Sequence, residues 1–218
     1  MSSVVISGDT SGAITLAAPA VAGTNTITLP ASTGTVVVGS TAVSATGQIP
    51  FSTDGSSYTP TAKIVSGTAV ASTSGTSIDF TGIPSWVKRI TVMYTSLQIS
   101  GSSNVLFQLG TSGGAVTTGY LCSGSYTGAT SGASNYTTGF GINSAGSSNV
   151  LHGKIVFDLF NVSTNTWTAN GVCGLSNTPF TQSTSGSKAL SGTLDRVRIT
   201  TVNGTDTFTA GSINILYE

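Results

Sequence analysis

Residues 154–160 read Lys-Ile-Val-Phe-Asp-Leu-Phe, and their alternation decides the fold. Successive side chains of a strand point to opposite faces, so Ile155, Phe157 and Leu159 share one side. Lys154, Val156, Asp158 and Phe160 share the other, which is only half polar. That mixture predicts a strand partly covered on both faces, as in a sandwich whose outer surface meets a neighbouring chain. Residues 87–94 repeat the pattern, with Ile90, Val92 and Tyr94 opposite Arg89, Thr91 and Met93.

Composition extends this reading to the whole chain. The 218 residues contain one Glu and few Lys, Arg, Gln or Met, whereas Val, Ile and Thr are abundant; β-branched side chains favour strands over helices. Short alternating runs bounded by Gly, Ser, Asn and Pro predict an all-β protein with the pattern of a sandwich or barrel; the fold expected is a C-terminal antiparallel β-sandwich of jelly-roll-like type. Charged residues make up only 6% of the chain, against roughly 25% in an ordinary domain. Polarity comes instead from 34 Ser and 37 Thr, alongside 28 Gly. Leu, Ile, Val and Phe still supply 53 residues, above the roughly 20% level below which chains cannot build a core.

Near the C-terminus, residues 196–202 and 205–209 flank Asn203-Gly204. Asn-Gly supplies the two positive-φ positions of a type I′ turn, so a hairpin is expected there with Val197 and Ile199 inward. Residues 212–217 read as a final strand.

The first fifty residues differ, because Asp9 is their single charge and they hold no aromatic residue and no Cys. Short strands are expected at 13–17, 26–29 and 35–38. Such small side chains bury too little area to stand alone. The expected organisation is therefore an N-terminal β anchor and oligomerisation segment, 1–50, and a sandwich domain, 51–218, with the boundary between residues 45 and 60.

A formal net charge of zero removes the attraction that drives binding to nucleic acid or an anionic membrane, so neither partner is expected. No stretch is long and apolar enough for a membrane-spanning helix. Cys122 and Cys173 stand in no metal-binding or redox spacing and read as two free buried thiols. No cofactor and no metal are expected. Catalysis has little material: His152 is the one histidine, beside six Asp and a terminal Glu. It reads as structural, since a general base needs a converging partner. Asp195 and Asp206 are candidates to approach across the expected hairpin as a glycosidase pair. The neighbouring Arg196 and Arg198 make a cross-strand charge pair the simpler reading. No catalytic residue is assigned, and the protein is read as a non-enzyme.

Binding candidates are the aromatic residues Tyr120, Tyr126, Tyr136 and Phe140, which fall in the Gly/Ser/Thr-rich stretch 110–148. A tyrosine ring offers contact area and its hydroxyl a hydrogen bond, which suits a host glycan or protein. Packing of the same rings at subunit seams is an equal alternative.

The run 7–16, Ser-Gly-Asp-Thr-Ser-Gly-Ala-Ile-Thr-Leu, continuing through 23–30, Gly-Thr-Asn-Thr-Ile-Thr-Leu-Pro, resembles the N-terminal segment of many tailed-bacteriophage fibre and virion structural proteins. Residues 78–90, Ile-Asp-Phe-Thr-Gly-Ile-Pro-Ser-Trp-Val-Lys-Arg-Ile, and the stretch 195–218 are similar to a β-rich domain of the same kind of protein. The resemblance implies a virion component: an N-terminal segment docked to other virion proteins, an outward-facing sandwich, and a homotrimer. It brings no catalytic residue. The function expected is a short trimeric tail fibre contacting the host, with a capsid decoration or cement protein as the alternative.

Overall fold

The computed structural model describes residues 64–144 and 146–218 in full, together with the backbone of four short strands ahead of them. Those four are β1 (Ser3–Ser7), β2 (Ala13–Ala17), β3 (Gln48–Phe51) and β4 (Thr59–Ala62). The chain divides into two units, 1–38 and 39–218. In the first, β1 and β2 pair antiparallel from Ser3↔Ala17 to Ser7↔Ala13, and the strand expected at 13–17 is β2. The strands expected at 26–29 and 35–38 lie outside the described residues, as does most of the boundary region 45–60. In the second unit β3 and β4 form a two-stranded sheet of their own.

All regular structure among the described residues is β, and every strand pair is antiparallel. The strands that follow are β5 (Val65–Ser66), β6 (Val70–Ala71), β7 (Ile78–Phe80), β8 (Arg89–Ile99), β9 (Val105–Thr111), β10 (Gly114–Ala115), β11 (Leu121–Thr127) and β12 (Ser131–Tyr136). Six more complete the chain: β13 (Phe140–Ile142), β14 (Leu151–Asn161), β15 (Thr166–Leu175), β16 (Phe180–Ala189), β17 (Arg196–Thr201) and β18 (Phe208–Tyr217). They build a nine-stranded sheet, β12-β11-β16-β15-β14-β8-β18-β5 with β6 also on β18. A five-stranded sheet runs β10-β9-β17-β7, with β13 also on β9.

The alternation in 154–160 sits at the centre of the larger sheet. Ile155 and Phe157 on β14 are fully buried, as are Ile90 and Val92 on β8, and Ile213 on β18. From the smaller sheet come Phe107, Leu109, Val197 and Ile199, also without exposure. Two aromatic contacts join the layers directly. Tyr94 of β8 meets Phe107 of β9 with ring centroids 5.7 Å apart, and Phe157 of β14 meets Phe140 of β13 at 5.5 Å. The two sheets therefore pack face to face over one apolar layer, the defining feature of a β-sandwich.

The C-terminal turn corrects one expectation. Strands β17 and β18 belong to different sheets, so residues 196–209 form an arch between layers rather than a hairpin. Gly204 has φ of 69°, but Asn203 has no positive φ, which excludes the type I′ turn. The Gly204 amide donates to the Thr201 carbonyl at 3.0 Å. Asn203 Oδ1 accepts from the amides of Thr205 and Asp206, both at 3.1 Å, turning the chain by its side chain. Val197 and Ile199 are inward as expected, and β18 contains the expected final strand.

A bulge on β8 shapes the outer surface. Thr95 and Ser96 together oppose the single residue His152, with Ser96 at φ 53°. On the other side Gly211, at φ 101°, passes the bulge so closely that a Cβ there would stand 2.5 Å from the Ser96 carbonyl oxygen. Only glycine fits that position without displacing the backbone.

Truncating Phe157 to Ala should lower the unfolding free energy by about 3–5 kcal/mol in urea denaturation. Its neighbour Phe160 is 75% exposed, and Phe160→Ala should change stability by no more than about 0.5 kcal/mol. Equal effects of the two would contradict the assigned faces of β14.

Candidate functional site

Charge is sparse, and each arginine is engaged. Arg89 and Asp158 are directly opposite across β8 and β14 and meet at 2.7 Å; Arg89 also reaches Glu218 at 2.8 Å. Arg198 on β17 binds Asp79 on β7 through two hydrogen bonds of 2.8 and 3.0 Å. Arg196 donates to the Thr111 carbonyl at 3.0 Å. The cross-strand charge pair expected for Asp195 and Asp206 with the neighbouring arginines is replaced by another, since Arg198 takes Asp79 and Arg196 takes backbone carbonyls. Asp195 and Asp206 themselves lie at opposite ends of β17, separated by its whole length, and do not converge.

Asp206 instead secures a loop. Its carboxylate accepts from Asn203 Nδ2 at 2.8 Å and the Ser103 amide at 2.9 Å, and these bonds to the charged form hold its pKa below the ordinary value. His152 is likewise occupied. Its Nδ1 accepts from the Ser96 amide at 3.3 Å within the bulge and lies 3.2 Å from Thr95 Oγ1, while Nε2 lies 3.1 Å from Ser176 Oγ. The histidine fastens the bulge to β14 and the turn after β15. Among the described residues no three His, Cys, Asp or Glu side chains group as metal ligands.

The aromatic candidates divide. Tyr120 is 1% exposed; its hydroxyl accepts from the Leu109 amide at 2.8 Å and lies 2.9 Å from the Val116 carbonyl, tying the chain after β10 to β9. Phe140 is fully buried and meets Tyr120 edge-on at 5.1 Å. Tyr136 is buried, with its hydroxyl 2.9 Å from Asn104 Nδ2. These three belong to the buried core, Tyr136 from β12, Phe140 from β13 and Tyr120 from the chain just ahead of β11. Tyr126 remains half-buried, stacked on Phe180 at 5.0 Å.

The surface that sequence reading missed is the outer face of the nine-stranded sheet. Register places Ser125, Ser183, Val172 and Lys154 in one row, and Thr127, Thr181, Gly174 and His152 in the next. Ser125, Thr127, Thr181, Ser183 and Val172 are exposed. At Gly174 a Cβ would have no atom within 4 Å, so the row dips there. The result is a shallow, open depression of about 390 Å³. Its walls are hydroxyls, the His152 ring and the Val172 methyls; no Asp, Glu, Lys or Arg lines it. Ser125 and Ser183 lie Oγ to Oγ at 3.1 Å across its rim. The signal for it was the every-second-residue spacing of hydroxyls in 123–127 and 181–187.

The thiols fall on the opposite, inner face. Cys122 aligns with Gly186 and Cys173 with Gln182, on either side of β16 and four residues apart along it. Their Cα atoms are therefore roughly 16 Å apart, whereas a disulfide spans about 4.4–6.8 Å. Both are buried and free, and burial pushes the Cys173 thiol up in pKa. No protein family, curated protein or solved structure matches this chain.

Two outcomes follow from this geometry. Neither cysteine should react with a thiol reagent until the chain is denatured, when two thiols titrate; a Cys122–Cys173 cross-linked peptide in a non-reducing digest would contradict the register. For Asp206, a depressed folded-state pKa means its stabilisation is present above the unfolded value of about 3.9 and lost as pH falls through the folded one. The protection of the Ser103 amide, measured relative to its intrinsic exchange rate at each pH, should fall over that acid range, and Asp206→Asn should remove that pH-dependent fall.

Proposed function

We propose that this chain is a non-enzymatic structural protein of a bacteriophage particle, most simply a short homotrimeric tail fibre. In this reading the N-terminal segment docks to other virion proteins, and a jelly-roll-like sandwich is the distal domain that contacts the host. The observation that carries it is the outer face of the nine-stranded sheet. A depression walled by hydroxyls, free of charge and open to solvent, suits neutral hydroxylated ligands such as the glycans of a cell surface. The engagement of His152, Asp206 and the arginines in framework contacts favours binding over catalysis. The resemblance of 7–30, 78–90 and 195–218 to phage virion proteins supports the same assignment. Tyr126, at the edge of this region, is the aromatic residue retained as a contact.

The test is competition. Purified protein should block adsorption of the parent phage to its host and should have a solution mass of about 65 kDa, three times the chain's 21.7 kDa. Gly174→Leu fills the depression from a position where nothing obstructs the new side chain. It should abolish the block while leaving the melting temperature unchanged. Undiminished blocking by Gly174→Leu would remove the depression from the contact surface. Failure of the native protein to block, with virions lacking it fragile to heat, would instead identify a decoration protein.

A further inference from the structure

The edges of the two sheets are treated unequally. A strand edge exposes unpaired N–H and C=O groups, and proteins shield such edges by shortness, charge, proline or cover. At the far edge of the larger sheet, β5 and β6 have two residues each. In the smaller sheet β7 has three, its Asp79 paired with Arg198, while β10 has two. The three residues of β13 are all buried. Among the described strands of these two sheets, β12 alone departs from this pattern. It runs six residues, Ser-Gly-Ala-Ser-Asn-Tyr, with no charge and no proline, and its ladder to β11 is unbroken from Cys122↔Tyr136 to Thr127↔Ser131. No backbone hydrogen bond from another described element reaches residues 131–136. Ser131, Ala133, Ser134 and Asn135 are exposed.

We propose that β12 is a docking edge for β12 of a second copy, paired antiparallel about a two-fold axis through Ala133. An axis through a residue is required, since directly opposite residues of an antiparallel pair share a face. The axis at Ala133 sets Ala133 against itself, Gly132 against Ser134, and Ser131 against Asn135. Every opposed pair is small and neutral, so nothing clashes and no like charges meet, and Ser131 with Asn135 forms a hydrogen-bonding pair. Such a contact is isologous and closes at two copies.

The placement has a functional consequence that rests on the glycan-contact reading above. Ala133 lies in the same row as Ser125, Ser183 and Val172, so the axis runs through the line of the depression. Pairing two outer faces about it turns both toward the same side. With strands about 4.8 Å apart, the two depressions stand roughly 25–30 Å from each other on one continuous surface. Two shallow sites at a fixed span bind a repeating ligand far more tightly than one.

Light scattering on the full-length chain over a concentration series, combined with hydrogen exchange of the β12 amides, tests the proposal. The expected mass at high concentration is an even multiple of the chain mass, about 43 kDa, or about 130 kDa if trimers also form. Ala133→Lys, an exposed substitution that brings like charges together at the axis, should halve that mass and expose the β12 amides, as should Ala133→Glu. Mixing the two variants should restore the doubled species, because opposite charges then face each other across the axis. A mass unchanged by Ala133→Lys, or β12 amides that exchange equally fast at all concentrations, would overturn the pairing. A doubled mass that responds to these variants in a protein that never blocks adsorption would keep the edge contact and reject the host-contact reading.

Discussion

The structure depends on a single apolar layer, clamped by aromatic pairs that cross it. With 6% charged residues and small side chains over most of the surface, this chain has almost nothing else from which to draw specific stability. Tyr94 on Phe107 and Phe140 on Phe157 hold the sheets in register, and Tyr120 ties the chain before β11 to β9. The layer is not free of cost. Trp167 Nε1 is buried without a hydrogen-bond partner, a penalty of about 1–3 kcal/mol, and Tyr94 Oη is buried with only the weakly bonding Cys173 thiol at hand. Burial also drives the Tyr94 hydroxyl well up in pKa, beside the Cys173 thiol. Fully burying a Phe or Ile side chain contributes about 1.5–3 kcal/mol. The many such residues in this layer offset these poorly satisfied donors, and their tolerance shows how far packing dominates.

Outside that layer the chain solves solubility with hydroxyls, and its few charges fix alignment. Arg89 with Asp158 and Arg198 with Asp79 each join residues directly opposite on neighbouring strands. Exposed pairs of this kind add only about 0–1 kcal/mol. Their value lies in register: a one-residue slip would turn every inward side chain outward and would also separate both pairs. No charged side chain lines the depression, so hydrogen bonding and shape decide what fits it.

How much of this was legible in the sequence follows from the range of the forces involved. Period-two alternation is local, so β14, β8 and the inward faces of β17 and β18 could be read directly from Ile155, Phe157, Ile90, Val197 and their neighbours. Asn203-Gly204 reads as a turn, and it is one. Whether the strands after a turn pair with each other or part into two layers depends on partners far along the chain, and here β17 joins β9 while β18 joins β8. The same limit governed the aromatic residues. Tyr120, Tyr136 and Phe140 sit among Ser, Thr and Gly in sequence, which suggests an exposed loop, yet β13 carries Phe140 against β9, and Tyr120 and Tyr136 are buried in the same core. The depression was hidden for a different reason. It is made by what Gly174 lacks, between residues brought together from β11, β14, β15 and β16.

An uncharged, shallow site imposes its own logic on function. Without a charged cleft there is no long-range steering, so encounter proceeds at the unassisted rate. Without a deep pocket, little of a ligand's surface is removed from water, so each contact is weak and short-lived. Such a face becomes an effective adhesive only when several copies are presented rigidly at once, since the second contact then forms at the high effective concentration set by the first. A sandwich suits that arrangement: its sheet is stiff, its rows are aligned by backbone hydrogen bonds, and β12 leaves one edge available for extension. On the glycan contact and edge pairing proposed above, the paucity of charge, the flat hydroxyl face and the unguarded edge belong to one design, in which affinity resides in the assembly rather than in any single chain.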